Sequence, residues 1–293
     1  MAVTVKLMGG LGNQLFGYFA GLYVAKKLET NLVLDVYQQK YNHHQGSSIS
    51  DFRLEGQLNT SYSTEEFVHK SLGLFPPQFE KASQQINKLL RVHVSQKVGF
   101  DETLTSLTDP ITLRGYYQTY RYFLSPPISP SQRVLSLQNP SRWFLELEKV
   151  AIATKPTVIH VRRGDYTLSL NTPQGVLSKD YYLAGLEIIS KGQKSAAEVW
   201  VFSDSLDEVR SEFGTAGQSF RYIETPVDAA AAETMKIMSL ASGIVISNST
   251  FSYWAAMLGQ IPEVVSPEKW FRLADDPEDL CPPNWQKSES LWR

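Results

Sequence analysis

The sequence predicts an α/β protein made of two parallel sheets flanked by helices. Short apolar runs of strand length alternate with amphipathic segments of helix length, and glycine, serine or asparagine turns join most runs to the next helix. Strands that alternate with helices in this way form parallel sheets. Four prolines between residues 126 and 140 separate two such series. We therefore predict two Rossmann-like domains, residues 1–154 and 155–293, facing a central cleft.

The first series opens with a β-α-β unit whose turn is rich in glycine. The apolar spacing predicts two helices, Asn13–Glu29 and Pro76–Val94. The predicted strands are Val3–Met8, Asn31–Val36 and Pro110–Arg114. A polar stretch, Tyr37–Thr64, is typical of a loop, and an aromatic run, Gly115–Phe123, follows the third strand.

The second series follows a helix predicted over Trp143–Ala153 and repeats the alternation more regularly. Its predicted strands are Thr157–Val161, Glu198–Phe202, a short one around Tyr222, and Gly243–Ser247. Its predicted helices are Tyr181–Ser190, Leu206–Phe213, Ala229–Leu240 and Tyr253–Leu258. We expect the polar tail after Cys281 to pack back across the two domains.

Composition excludes several classes of protein. A formal net charge of -2 argues against nucleic acid as the main partner. Cys281 is the only cysteine, which excludes a disulfide framework and a thiolate metal cluster and fits a reducing cytoplasm. The N-terminus lacks the pattern of a signal peptide. The apolar stretch Ile237–Ile246 is too short to span a membrane.

The segment HVRRGDY, residues 160–166, directly follows the predicted strand Thr157–Val161. The carboxyl ends of strands in open α/β sheets are where ligands bind, and arginine presents a rigid fork of donors that matches phosphate oxygens. Arg162 and Arg163 therefore favour a phosphorylated ligand. The alternative is a surface salt bridge between Arg163 and Asp165 on an ordinary turn.

The turn GGLGNQLFGYFAG, residues 9–21, begins a helix. Free amides at a helix N-terminus attract anions, and glycine lets a ligand approach the backbone. Gly10 and Gly12, with Asp35 after the next strand, partly match the dinucleotide fingerprint, but Leu15 occupies the third glycine position. A tight structural turn remains the simple alternative.

Two further strand ends carry small polar residues, in VFSDS (201–205) and ISNSTFSYW (246–254). Asp204 and Ser249 are both good helix caps, which is the structural alternative for each. We expect the strand ends at His160, Ser203 and Ser247 to converge on one site. The sequence has no D-x-D pair, so arginine rather than a metal would neutralise a diphosphate.

Together these motifs resemble the inverting α-1,2-fucosyltransferases of glycosyltransferase family eleven, bacterial branch. The segments that carry the resemblance are GGLGNQLFGYFAG, GYYQTYRYF, HVRRGDY, VFSDS and SNSTFSYW, in this order. The resemblance implies a GT-B-like fold, GDP-fucose as donor, no required metal or other cofactor, and transfer of fucose to O2 of a terminal β-galactoside such as lactose. It makes the first domain the acceptor side and the second the donor side.

The resemblance also implies residue roles. Arg162 would hold the β-phosphate and, with Asn13 and Asp165, belong to the catalytic residues; Asp165 is the nearest carboxylate for a base, but it can equally orient Arg163. The expected donor-binding residues are Gly10, Gln14, His160, Arg163, Asp204, Glu233, Thr234, Asn248, Ser249, Thr250 and Phe251, with either Glu233 or Thr234 reading guanine. The expected acceptor-binding residues are Tyr117 and Gln118.

Two other functions stay open on the residues alone. One is an NAD-dependent oxidoreductase that uses Gly10, Gly12 and Asp35. The other is a non-catalytic carbohydrate-binding protein that uses the aromatic stripe Tyr116–Tyr122. We expect a cytoplasmic bacterial enzyme, peripheral to the inner face of the membrane, and the sequence predicts neither the base nor the oligomeric state.

Overall fold

The computed structural model of the chain describes residues 2–36, 49–59, 85, 87–95, 99–167, 173–192, 198–214 and 220–293. Within these ranges the chain divides into two compact units, Met1–Leu135 and Ser136–Arg293. Each unit contains one parallel sheet. The two-sheet α/β architecture predicted from the alternation of strands and helices is therefore confirmed.

The first unit is a five-stranded sheet in the order β3-β2-β1-β5-β4. Its strands are β1 (Ala2–Lys6), β2 (Asn31–Asp35), β3 (Gln57–Asn59), β4 (Val92–Val94) and β5 (Ile111–Arg114). Its helices are α1 (Leu11–Lys27) and the short α2 (Arg121–Leu124). Single 3-10 turns lie at Ile49–Asp51, Glu102–Ser106 and Pro130–Arg133.

Helix α1 is the core of the first unit. Fourteen of its 17 residues are buried, so it is covered on all sides rather than amphipathic. It lies against the sheet at Gly21, where a Cβ atom would stand 2.1 Å from Cγ2 of Val5. Only glycine permits helix α1 to approach β1 this closely. The close packing of α1 on β1 holds the glycine turn between them at the carboxyl end of β1.

The second unit is a six-stranded sheet in the order β11-β10-β9-β6-β7-β8. Its strands are β6 (Thr157–Val161), β7 (Val199–Ser203), β8 (Phe220–Tyr222), β9 (Gly243–Val245), β10 (Glu263–Pro267) and β11 (Gln286–Ser288). Its helices are α3 (Arg142–Thr154), α4 (Lys179–Gly192), α5 (Leu206–Phe213), α6 (Ala231–Met238) and α7 (Thr250–Gly259), with a 3-10 turn at Gly164–Thr167. All five residues of β6 are buried, as expected for a central strand of a parallel sheet.

Several sequence predictions differ from the structure: strand β3 lies within the predicted loop Tyr37–Thr64, and strand β10 was not predicted. The helix predicted over Pro76–Val94 is interrupted, because Val92–Val94 forms strand β4; residues 76–84 and 86 lie outside the described residues. The boundary predicted at residue 154 lies too late, since helix α3 packs on α6 and belongs to the second unit. Its cap residue Ser141 donates a hydrogen bond of 2.9 Å from its hydroxyl to Glu233 of α6.

Candidate functional site

The order of strands in the second sheet locates the candidate ligand site of that unit. Strands β6, β7 and β8 run to one side and β9, β10 and β11 to the other, so the order reverses between β6 and β9. Ligands of open α/β sheets bind outside the carboxyl ends of strands at such a reversal. The two strands that flank it lead directly into HVRRGDY and SNSTF, so both predicted motifs lie at this place.

His160 forms the floor of this site. It is 5% exposed, its Nδ1 lies 3.0 Å from the hydroxyl of Ser247, and its ring lies 5.6 Å from that of Phe251. Burial, followed by the nearby positive charge of Arg162, lowers the pKa of the His160 imidazole to about 3. The imidazole is therefore neutral at physiological pH and offers a hydrogen bond rather than a charge.

Arg162 is the cation of the site that reaches solvent. Its side chain is 23% exposed, Nη1 lies 2.9 Å from Oδ2 of Asp204, and the guanidinium lies 5.4 Å from the centre of the Tyr166 ring. The same carboxylate accepts the Arg163 backbone amide at 2.9 Å through Oδ1. Asp204 thus orients the arginine loop at one edge of the site, as the strand-end prediction required.

Gly164 makes this approach of Asp204 feasible. Its φ is +32°, and a Cβ atom at this position would stand 2.4 Å from Oδ2 of Asp204. Any larger residue would displace the carboxylate from the loop. The close contact with Asp204 therefore explains why glycine occupies position 164, directly after the two arginines.

Arg163, predicted to bind the donor, lies inside the protein in this structure. Its side chain is fully buried, with Nη1 donating at 2.9 Å to the Leu177 carbonyl and Nη2 donating at 2.8 Å to Glu212. A buried, paired guanidinium has no face left for a phosphate. Its role is to anchor the loop that presents Arg162.

The first turn of helix α7 supplies the second anion-binding element. Ser249 is its N-cap, and its hydroxyl accepts the Phe251 amide at 3.3 Å. Free amides and the positive end of the dipole lie at this helix start, next to the carboxyl end of β9. Thr250 and Phe251 are partly exposed, and their donor-binding role stays a prediction.

Asn248 has a structural role rather than the predicted contact with the donor. Its Nδ2 donates to the carbonyls of Gln174, Gly175 and Trp270, at 2.6, 3.2 and 3.2 Å. The side chain is 2% exposed. It therefore ties two neighbouring loops to the start of α7.

Glu233 is likewise occupied inside the protein. It is 3% exposed and accepts hydrogen bonds from the backbone amide and the hydroxyl of Ser141. Of the two residues expected to read guanine, Glu233 is thus engaged in capping helix α3. Thr234, beside it, is partly exposed and keeps that prediction.

In the first unit the order of strands reverses between β1 and β5, which places the glycine turn beside the aromatic run. Gly9 has φ +69°, whereas a Cβ atom at Gly10 would meet nothing within 4 Å. Asn13 Oδ1 accepts a hydrogen bond of 2.9 Å from Gln118 Nε2. The structure thereby joins two predicted site residues that are far apart in sequence.

Gln14 and Tyr117, both predicted to contact substrate, face the interior. Gln14 is 1% exposed, donates at 2.9 Å to the Gly9 carbonyl and accepts the Ile49 amide at 2.9 Å. Tyr117 is 1% exposed and its hydroxyl lies 3.4 Å from Nδ1 of His93. Both side chains therefore lie in the protein interior behind the candidate site.

The remaining predictions have mixed outcomes. Asp35 is buried, with its carboxylate 3.8 Å from the Lys6 ammonium, a position that does not suit a ribose-binding acid. Asp165 lies in the turn Gly164–Thr167, but its side chain is outside the described residues, as are His43, His44 and His69.

Two absences hold for the described residues. Within them, no group of three or more histidine, cysteine, aspartate or glutamate side chains is arranged to hold a metal ion. No helix in the described part of the chain is both long and apolar enough to cross a membrane.

The sequence analysis expected Ser247 at the site but assigned it no contact, and it gave Tyr166 no role. Ser247 bonds His160, and Tyr166 lies beside Arg162 while its hydroxyl donates at 3.3 Å to the Asn248 carbonyl. Tyr116 is the exposed neighbour of Tyr117. A signal existed for Ser247 and Tyr166, because both lie within the motifs ISNSTFSYW and HVRRGDY.

Comparison with solved structures places this architecture among known folds. The NodZ α-1,6-fucosyltransferase of Bradyrhizobium, soaked with GDP-fucose, has a TM-score of 0.52 at 13% identity over 94% of this chain and 99% of its own. A mutant of Arabidopsis thaliana FUT1 in complex with GDP has a TM-score of 0.51 at 13% identity over 92% and 71%. The predicted GT-B-like α/β fold is thus confirmed.

Comparison with characterised sequences gives relatives of nearly the same length. An "Alpha-1,2-colitosyltransferase" of Escherichia coli is 27% identical over 98% of this chain and 99% of the relative. The "O-antigen biosynthesis glycosyltransferase WbnK" of Escherichia coli is 26% identical over 90% and 93%. The sequence model of "Glycosyl transferase family 11" matches residues 113–271, more than half of the chain, including Arg162, Asp204 and Ser249. The chain therefore belongs to glycosyl transferase family 11 and is a glycosyltransferase.

Proposed function

We propose that this glycosyltransferase is an inverting α-1,2-fucosyltransferase that moves L-fucose from GDP-fucose to O2 of a terminal β-galactoside. The observation that carries the proposal is that Arg162 and the start of helix α7 each follow one of the two strands, β6 and β9, that flank the strand-order reversal. A forked cation and free helix amides form a site for a diphosphate. The donor is therefore a nucleoside diphosphate sugar.

The reaction needs stabilisation of the leaving diphosphate above all. The bond from C1 of fucose to the phosphate oxygen breaks, C1 bonds to O2 of the galactoside, and the O2 proton leaves. Arg162 and the α7 amides meet the charge that develops on GDP, which is the type of electrostatic stabilisation that contributes most in such reactions. Neutral His160 lines the nucleotide pocket without adding charge.

The identity of the base is a separate question. Asp165, next to the arginine loop, is our candidate to receive the O2 proton, on sequence position alone. An oxocarbenium-like transition state makes the acceptor hydroxyl attack a strongly electrophilic carbon and lowers the demand on a base. We therefore expect Asp165→Asn to reduce turnover less than removal of Arg162 does.

We also propose that no metal is required. The reasons are the missing D-x-D pair and the presence of Arg162 where a metal would otherwise neutralise the diphosphate. We place the enzyme in the bacterial cytoplasm, peripheral to the inner face of the membrane. The single cysteine, which fits a reducing compartment, supports this placement.

The relatives define the main competing donor. One of them is named a colitosyltransferase, and colitose is fucose without its 3-hydroxyl. The NodZ crystal was soaked with GDP-fucose. A site that hydrogen-bonds the 3-hydroxyl rejects the deoxy sugar strongly, whereas a site that packs against C3 does not. GDP-fucose and GDP-colitose must therefore be compared directly.

The test is product analysis with each donor, lactose as acceptor and excess EDTA. The expected result is a fucosylated lactose whose new linkage, read by NMR, is α to O2 of galactose. If kcat/KM is at least tenfold higher with GDP-colitose than with GDP-fucose, the natural donor sugar is colitose and not fucose. Loss of nearly all turnover in EDTA would refute metal independence, and a nicotinamide-dependent change in absorbance would favour the oxidoreductase.

A further inference from the structure

The aromatic run after β5 exposes one tyrosine and buries the next. Tyr116 is 49% exposed, whereas Tyr117 is 1% exposed. The backbone sets this division, because Tyr117 has φ +50°, a left-handed conformation that is unusual for an aromatic residue. A tyrosine held in this conformation at a ligand-binding strand end indicates that the surroundings impose it.

A buried polar cluster holds Tyr117 in place. Its hydroxyl lies 3.4 Å from Nδ1 of His93, whose Nε2 lies 3.3 Å from Asp101 and 3.0 Å from the hydroxyl of Thr103. The rings of His93 and Tyr117 are stacked. Burial lowers the pKa of His93, although the charge of Asp101 opposes the shift. The proposed catalytic reaction uses none of these groups.

Two residues after Tyr116 in the chain, Gln118 forms with Asn13 a pair of amides that has spare hydrogen-bonding capacity. Gln118 Nε2 donates to Asn13 Oδ1 at 2.9 Å. Among the described residues, Asn13 Nδ2 and Gln118 Oε1 have no further hydrogen-bond partner. A donor and an acceptor held side by side match the hydroxyl groups of a sugar, since each hydroxyl can both donate and accept.

We infer that Tyr116 is the aromatic face on which the acceptor sugar stacks, with Asn13 and Gln118 holding its hydroxyls and Tyr117 positioning all three. This inference rests on the proposed function, because it assigns the galactoside to the first unit. A β-galactoside presents one face of C–H groups, which packs on an aromatic ring. A tyrosine ring is rigid and costs little conformational entropy to order.

The test separates acceptor from donor kinetics. Tyr116→Ala is expected to raise the KM for lactose about tenfold, the effect of losing one aromatic contact. The KM for GDP-fucose should stay unchanged. The rate at which GDP-fucose is hydrolysed to GDP in the absence of lactose should also stay unchanged. Tyr116→Phe and Tyr116→Trp keep a ring and should stay within about threefold of wild type. Leu124→Ala, at an apolar side chain that is 40% exposed in the same unit, is the matched control.

A second measurement keeps the inference independent of the donor. Saturation-transfer NMR of lactose with the wild-type protein should show contact with the sugar, and Tyr116→Ala should abolish the signal. If Tyr116→Ala abolishes the lactose signal but the wild-type enzyme does not transfer fucose from GDP-fucose, the proposed donor is wrong and the assignment of Tyr116 to the acceptor site is retained. An unchanged lactose KM and signal in Tyr116→Ala, or no lactose contact in the wild type, would overturn the inference.

Discussion

At the scale of residues, one pattern explains most of the site: neighbouring residues of the same chemical type divide into an outward and an inward member. Arg162 reaches solvent and Arg163 is buried; Asn13 is partly exposed and Gln14 is buried. Tyr116 and Tyr117 divide in the same way. The outward member is available to a ligand, and the inward member fixes the backbone that presents it.

Arg162→Lys tests the outward arginine. Lysine keeps the charge but loses the fork that pairs with the Asp204 carboxylate and that we propose binds phosphate oxygens, so kcat/KM for GDP-fucose should fall at least about tenfold. Arg210→Lys, at a surface arginine that is 44% exposed and paired with Asp207, should change little. A value for Arg162→Lys within about threefold of wild type would remove Arg162 from the phosphate site.

His160 gives the protein a pH-dependent stability. Its folded pKa of about 3 lies below the unfolded value of about 6.5, so the unfolded state takes up the proton first as pH falls. Stability is therefore lost between about pH 6.5 and pH 3. From pH 7 to 5 the free energy of unfolding should fall by about 2 kcal/mol through this residue. Urea unfolding of wild type and His160→Asn measures it; equal pH dependence in both would contradict the burial argument.

Residue types could be predicted from the sequence, but their directions only in part. Two adjacent arginines after a strand already imply that one faces inward, since successive side chains of an extended segment point to opposite sides. Which one does so depends on partners far along the chain, such as Glu212 for Arg163. Glu233 illustrates the same limit, because its partner Ser141 is 92 residues away.

At the scale of elements, strand–helix alternation predicted seven strands, β1, β2, β5, β6, β7, β8 and β9, and missed β3, β4, β10 and β11. Strand β11 is three residues, Gln-Lys-Ser, at an edge, and only its pairing with β10 defines it. Strand β4 follows a helical stretch without a glycine or proline to mark the change. A strand with a long apolar run, such as β6, can be recognised from the sequence, whereas short polar edge strands such as β3 and β11 are defined by pairing with their neighbour.

The glycine turn before α1 gives an element-level prediction. A methyl group at Gly10 meets no protein atom, so Gly10→Ala should change the free energy of unfolding by less than about 0.5 kcal/mol. If a substrate approaches this backbone, the same variant should lower transfer at least about tenfold. Gly21→Ala is the contrast, because its Cβ would overlap Val5 and destabilise the fold. Full activity of a stable Gly10→Ala enzyme would exclude the turn from the site.

At the scale of the whole molecule, the two sheets carry different chemistry at their strand-order reversals. The second unit presents a cation and a helix start, which suit a diphosphate. The first presents paired amides and an exposed aromatic ring, which suit an uncharged sugar. The central claim is therefore that the nucleotide binds to the second unit and depends on Arg162.

Isothermal titration of GDP into Arg162→Ala and Asn13→Ala, beside the wild type, tests this claim most directly. Loss of a charge-assisted phosphate contact should weaken GDP binding about tenfold or more in Arg162→Ala. Asn13→Ala should bind GDP within about threefold of wild type while its transfer to lactose falls. Equal loss of GDP affinity in both variants would contradict the claim and move the nucleotide to the glycine turn at Gly10.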